Sequence, residues 1–121
     1  MDEKLLDKIK EIARFYGWEE QHRIAIEELS ELIKAICKRE RRFDGSFFTV
    51  SSESEERTAI VEELADVIIM AIQLTYLLEG EFDVKEVMEH KVERQLRRID
   101  KVSKDIEEME MVYANEMHGF F

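Results

Sequence analysis

Apolar positions in this chain recur mostly every three or four residues, which is the spacing of one face of an α-helix. No stretch alternates between apolar and polar positions for long enough to predict a sheet, and only Phe47–Val50 could form a short strand. The pattern therefore predicts an all-α, four-helix bundle that forms a single domain over residues 1–121. The four predicted helices span about 3–15, 19–41, 52–79 and 83–113.

The boundaries of these helices follow from glycines and capping residues. Gly17 is expected to separate the first two helices, and Gly80 is expected to end the third. Two capping-box patterns, which are typical of helix N-termini, are Ser52 with Glu55 and Asp83 with Glu86. The segment from Arg42 to Ser52 is predicted to be a loop, and the tail 115–121 is predicted to be irregular.

The third predicted helix is apolar on nearly every side. Residues Val67–Ile72 are all apolar, without a break. A helix on the outside of a monomeric bundle would keep one polar face. We therefore expect this helix to be central or covered by a second subunit, and predict a homodimer or homotetramer.

Charge and composition narrow the classes of function. The net charge is −11, which disfavours non-specific binding of nucleic acid, so a polyanionic ligand requires a metal ion or a local basic patch. The longest apolar stretch, Leu64–Leu74, contains Asp66 and Gln73 and is too short to span a membrane. The N-terminus lacks the apolar segment of a signal peptide, and the single cysteine, Cys37, is expected to be a small buried residue. These features predict a cytoplasmic protein.

Two acidic segments repeat at an offset of 35 residues: IEELSELI at 26–33 and VEELADVI at 61–68. At about 100° per residue, Glu28 lies inside the apolar arc of its helix and Glu31 at its edge. Glu63 and Asp66 take the same two positions on the third helix. The neighbouring acids Glu27 and Glu62 point away from both arcs.

Such a pattern of acids arises easily by chance in a chain with 29 acidic residues, but four carboxylates at matched core-facing positions do not. Buried carboxylates cost several kcal/mol each unless they are protonated or paired with a cation. The nearest basic residue, Lys34, is expected on the polar side. Ligands that are all oxygen favour Mg²⁺, or Mn²⁺, over zinc.

Other kinds of site are less well supported. A di-iron bundle needs paired Glu-x-x-His motifs, and only Glu19 with His22 provides one. His90 and His118 are expected at the surface. The chain has no Gly-rich phosphate loop and no Ser/His/Asp or Cys/His arrangement. The alternative to an enzyme is a non-catalytic helical interaction module, in which the four acids could be replaced by alanine without loss of function.

The segments YGWEEQHRIAIEELSELIKAI and VEELADVIIMAIQLTYLLEG resemble the signature of the MazG-like, all-α nucleoside triphosphate pyrophosphohydrolases. The resemblance extends from about Tyr16 to Arg98. It implies cleavage of a (d)NTP into a (d)NMP and pyrophosphate. It also implies Mg²⁺ ligation by Glu28, Glu31, Glu63 and Asp66, with Glu27 or Glu62 orienting these groups or acting as a base.

The resemblance implies further contacts with the substrate. A basic cluster on the fourth helix of these proteins often contacts phosphates, although a solvated basic face is an equally good interpretation; here the matching residues are Lys91, Arg94, Gln95 and Arg98. The loop at 42–52 is longer than usual and carries Phe43, Phe47 and Phe48, which could form a lid or pack against another subunit. Tyr16 and Trp18 could stack on a base, but core or interface packing is favoured.

Overall fold

The computed structural model describes the backbone of residues 1–43 and 52–119. Within these ranges the chain is helical and contains no strand. Its three helices are α1 (Glu3–Phe43), α2 (Glu53–Leu77) and α3 (Glu81–Gly119). The all-α class is confirmed. The predicted Phe47–Val50 strand and the side chains of the loop phenylalanines lie outside the described residues.

The predicted break at Gly17 is present, but it does not produce two separate helices. Gly17 has φ 81° and ψ 174° inside α1, so the helix is kinked there. Positive φ of this size is a conformation that glycine adopts readily and that other residues rarely adopt. The predicted count of four helices is not confirmed in the described residues, because the first two predicted helices form the single kinked α1.

Capping explains where α2 begins and ends. The Ser52 hydroxyl accepts a hydrogen bond from the Glu55 amide at 3.2 Å, as the capping box predicts. At the other end, the Glu79 amide donates to the Tyr76 carbonyl and the Gly80 amide donates to the Thr75 carbonyl. This is a Schellman motif, and its left-handed residue is Glu79, with φ 53°. The expected stop at Gly80 therefore falls one residue earlier.

The second predicted capping box is wrong. Helix α3 begins at Glu81, so Asp83 lies inside its first turn and cannot cap it. The helix also runs to Gly119 rather than to Tyr113, so the part of the tail from 115 to 119 is helical and not irregular.

The chain divides into two units, Met1–Glu81 and Phe82–Phe121. In the first unit α1 and α2 pack against each other. Residue pairs across this contact run in opposite directions, since Arg14 donates to the Tyr76 hydroxyl at 3.1 Å and Gln21 donates to Gln73 at 2.6 Å. The two helices are therefore antiparallel.

Few side chains of the first unit are fully buried. The buried apolar residues are Ile9, Ala13, Ala25 and Met70, and the buried polar residues are Gln21, Glu56 and Gln73. Much of the rest of α2 is exposed, including Ile68 at 49%. Among the described residues, no helix is both long enough and apolar enough to cross a membrane.

Candidate metal centre

The acidic residues of α1 and α2 meet on the seam between the two helices. Glu28 follows the buried Ala25 by one turn on α1, and its side chain is half-buried. Glu63 and Asp66 are three residues apart on α2, so they share one face of that helix. Glu63 is half-buried and Asp66 is exposed. The antiparallel packing brings these three side chains to one place.

Each of the three residues contributes one carboxylate oxygen to a compact group. These oxygens of Glu28, Glu63 and Asp66 lie within 4.8 Å of one another. Opposite ligands of a Mg²⁺ ion lie about 4.2 Å apart, because each oxygen lies about 2.1 Å from the metal. Small side-chain rotations would therefore bring the three oxygens into one coordination sphere, with water completing it.

One carboxylate oxygen of this group is buried without a hydrogen-bond partner. The Oε2 atom of Glu63 is buried, and it has no hydrogen-bond partner among the described residues. A buried polar atom without a partner costs about 1–3 kcal/mol, and more if it is charged. A cation bound by the carboxylates would satisfy this oxygen. The residues present therefore fit a hard divalent cation.

Burial and the neighbouring acids raise the pKa values of two carboxylates in this group. Burial raises the pKa of Glu28, and the charge of Asp66, a hydrogen bond with Asp66 and the charge of Glu63 raise it further. Burial also raises the pKa of Glu63, followed by the charges of Asp66, Glu31 and Glu62. Both shifts mean that the folded chain holds these carboxylates in an environment that disfavours their negative charge.

Glu31 lies close to this group but is not part of it. Its charge raises the pKa of Glu63, yet its carboxylate forms an ion pair with Lys34 at 3.4 Å. Lys34 was expected to lie apart from the acids on the polar side of the helix. It is exposed, but three residues after Glu31 it lies within reach of that carboxylate. The ion pair would have to open before Glu31 could bind a metal.

The two outer acids, Glu27 and Glu62, are exposed, as their helix angles indicated. Each still affects the site, since the charge of Glu27 raises the pKa of Glu28 and the charge of Glu62 raises the pKa of Glu63. They therefore lie outside the three-residue group and act on it through their charges.

A second polar pair on the same seam was missed at the sequence level. Gln21 and Gln73 are 3% and 2% exposed, and the Gln21 side-chain amide donates to the Gln73 carbonyl oxygen at 2.6 Å. The Oε1 atom of Gln21 is buried without a partner among the described residues. The helical spacing could have predicted this pair, because Gln21 lies two turns before Glu28 and Gln73 lies two turns after Asp66, on the same helix faces.

Between the acidic group and the glutamine pair lies a small apolar cavity of about 120 Å³. Leu29 and Val67, which line it, directly follow Glu28 and Asp66 in the sequence, so the cavity begins beside the acidic group. Its remaining lining residues are Ala25, Met70, Ala71 and Leu74. An engineered apolar cavity of about 150 Å³ accommodates benzene, so this one is close to the size of a single ring.

Several other residues take positions that differ from those expected. Cys37 is exposed rather than buried, because it lies nine residues after Glu28 and so on the opposite side of α1. Tyr16 is 54% and Trp18 is 39% exposed, so neither side chain is part of the described core of the first unit. The Trp18 ring stacks on His22 with centroids 5.9 Å apart.

The remaining predicted site residues belong to the second unit. All four are exposed on α3: Lys91, Arg94, Gln95 and Arg98. His90 is also exposed, as expected, while the side chain of His118 lies outside the described residues. The predicted phosphate contacts therefore stay predictions.

Comparison with known families agrees with the geometry of the first unit. A family model described as the MazG nucleotide pyrophosphohydrolase domain matches residues 18–103. This range covers more than half of the chain and includes all three residues of the acidic group. Searches of curated proteins and of solved structures found no match to the chain.

Proposed function

We propose that this chain, which belongs to the MazG nucleotide pyrophosphohydrolase family, is a Mg²⁺-dependent hydrolase that cleaves nucleoside triphosphates between the α and β phosphorus atoms. The products are a nucleoside monophosphate and pyrophosphate, from ribo- or deoxyribonucleotides. The observation that carries the proposal is the group of Glu28, Glu63 and Asp66, with the partnerless buried oxygen of Glu63.

In this proposal the three grouped carboxylates hold the metal ion, and Mn²⁺ can replace Mg²⁺. Glu31 joins them as a fourth ligand when its ion pair with Lys34 opens. When bound, the metal supplies positive charge that offsets the triphosphate and acidifies a water molecule. An acidic protein of net charge −11 needs this compensation to bind a polyanion at all.

The protein's own contribution is positioning and electrostatics. Glu27 and Glu62 flank the metal ligands in sequence and orient them through their charges, or accept a proton from the attacking water. Three basic residues and one amide of α3 bind the phosphates: Lys91, Arg94, Arg98 and Gln95. Phosphoryl chemistry of this kind asks for little covalent participation from the side chains, so no nucleophilic residue is required.

The proposal includes assembly of the chain as a homodimer or homotetramer in the cytoplasm. Its support is the exposed apolar surface of α1 and α2, which includes Ile26 at 63% and Ile33 at 61%. Exposed apolar surface that extends over several residues is typical of a subunit interface.

The experiment is a product assay with a panel of NTPs and dNTPs, in Mg²⁺ and in EDTA. We expect equimolar monophosphate and pyrophosphate with Mg²⁺ only, and a loss of about 100-fold or more in the Glu63→Gln variant, as expected when a metal-binding group is removed. Glu55→Gln, at an exposed position in the first turn of α2, is the matched control. If none of the nucleotides is hydrolysed, the result favours the non-catalytic interaction module.

A further inference from the structure

The C-terminal half of α3 carries an apolar stripe that the proposed function does not use. Its members alternate at spacings of three and four residues, and they are Ile99, Val102, Ile106, Met109 and Tyr113. This is the heptad pattern of a coiled-coil seam, in which each apolar position faces a partner helix. We refer to these five residues as the C-terminal stripe.

Within its own unit the stripe has no covering element, because α3 is the only element described there. Ile106 is 50% and Met109 is 72% exposed, and every residue from 81 to 117 is exposed. Most of the stability of a helix in a protein comes from packing of its apolar face, so α3 needs a partner surface. The family match ends at residue 103, so most of the stripe lies beyond the matched domain.

Charge along α3 is divided sharply at the middle of the stripe. Residues 91–104 contain six basic and two acidic side chains, which gives a net charge of +4. Residues 105–116 contain five acidic and no basic side chains, which gives −5. Charges within about 8–10 Å of each other interact at physiological ionic strength, so two paired helices would sense each other's charge along their length.

We propose that the C-terminal stripe pairs antiparallel with the same stripe of a second copy of this chain. Antiparallel pairing places the +4 segment of one helix beside the −5 segment of the other, whereas parallel pairing places like charges together. The repeat also fits, since Ile99 of one copy lies opposite Met109 of the other, and Val102 lies opposite Ile106. In the same register Tyr113 of one copy lies opposite Gln95 of the other, and the +4 segment contains Lys91, Arg94 and Arg98, so this pairing adjoins the proposed phosphate contacts.

Disulfide trapping tests both the pairing and its direction. Because Cys37 is exposed, all variants carry Cys37→Ser. One variant adds Ile99→Cys and a second adds Met109→Cys, each with a different affinity tag. We expect mild oxidation of the mixture to give a covalent dimer of one chain of each kind. The Ile99→Cys variant oxidised alone should give at least about fivefold less dimer, because antiparallel pairing separates the two copies of this residue by several turns.

A matched pair of substitutions shows that the stripe drives this pairing. Ile106→Asp, added to both trapping variants, should lower the yield of the mixed dimer about tenfold, because it places a carboxylate in the seam. Met111→Asp adds the same charge on the opposite side of α3, where Met111 is 66% exposed, and should change the yield less than about twofold. Trapping of Ile99 to Ile99, or no trapping in the mixture, would overturn the proposal whether or not the chain is an enzyme.

Discussion

Gln21 and Gln73 lie opposite each other on α1 and α2, two turns along the same seam from the acidic group, and their side chains share a buried hydrogen bond of 2.6 Å. Antiparallel packing sets the positions of the acidic group and of the glutamine pair together, because Gln21 lies seven residues before Glu28 and Gln73 lies seven residues after Asp66. The register that joins the glutamines is therefore the register that assembles the carboxylates.

Replacing one of the two glutamines should lower the free energy of unfolding more than replacing both. Gln73→Leu leaves the Gln21 amide buried without a partner, which should lower the free energy of unfolding by about 1–3 kcal/mol. The double variant, with leucine at both positions, leaves no unpaired amide and should recover most of this loss. Urea denaturation of the single and double variants measures the difference. Equal losses in both would mean that the hydrogen bond does not set the register.

Stability of the metal-free protein should fall as pH rises from mildly acidic to neutral. The folded-state pKa values of Glu28 and Glu63 are raised above the ordinary value of 4.5, so the folded chain binds more protons than the unfolded chain in the interval above that value. The stabilising contribution is complete below 4.5 and is lost as pH rises through the raised values. Urea denaturation in EDTA at several pH values measures this slope.

The double variant Glu28→Gln/Glu63→Gln is the control for this pH dependence, because it removes both ionisable groups and should flatten part of the slope. Mg²⁺ should reverse the effect at neutral pH by binding the ionised carboxylates, and should have little effect at acidic pH, where protons compete for them. A wild-type slope that matches that of the double variant would show that these two acids are not the source.

The end of α2 offers a test that is separate from the site. Glu79 has φ 53°, a left-handed conformation that costs a non-glycine residue about 1 kcal/mol or more. Glu79→Gly should therefore stabilise the protein by up to about 1 kcal/mol in thermal denaturation. Glu79→Ala removes the same side chain but keeps the strain, so it should not stabilise. A gain from alanine equal to that from glycine would assign the effect to the lost charge.

The basic residues of α3 should affect substrate binding without affecting the metal. Arg94→Ala should raise KM about tenfold or more, since a charge-assisted hydrogen bond contributes roughly 1.5–3 kcal/mol. Lys85→Ala is the control, because Lys85 is exposed on the same helix and lies about 130° around the helix axis from the centre of the predicted face. Steady-state kinetics would contradict the assignment if both variants changed KM equally.

Local rules predicted the parts of the fold that depend on neighbouring residues. The capping box at Ser52 formed because both partners are within one turn, and Gly17 kinked α1 because glycine accepts positive φ. The similar pattern at Asp83 does not form a cap. The Schellman motif ends α2 at Glu79 and Gly80, and α3 begins directly afterwards at Glu81, so Asp83 is already inside the helix. No local pattern distinguishes a used cap from an unused one.

The angular positions of residues around each helix axis predicted one part of the candidate site. Angle placed Glu28, Glu63 and Asp66 on facing stripes, and packing of α1 on α2 brought them together. The i, i+3 spacing placed Lys34 within reach of Glu31, but the helix angle does not show whether two exposed long side chains form an ion pair. For Cys37 the expectation came from residue type alone, and its helix angle would have corrected it.

The most direct test of the central claim is calorimetric titration of Mg²⁺ into the purified chain at neutral pH. The account predicts saturable binding in the wild type and in Glu55→Gln, an exposed position in the first turn of α2, and at least about tenfold weaker binding in Glu63→Gln. Equal Mg²⁺ binding by wild type and Glu63→Gln, or no binding by either, would contradict the assignment of the acidic group as a metal centre.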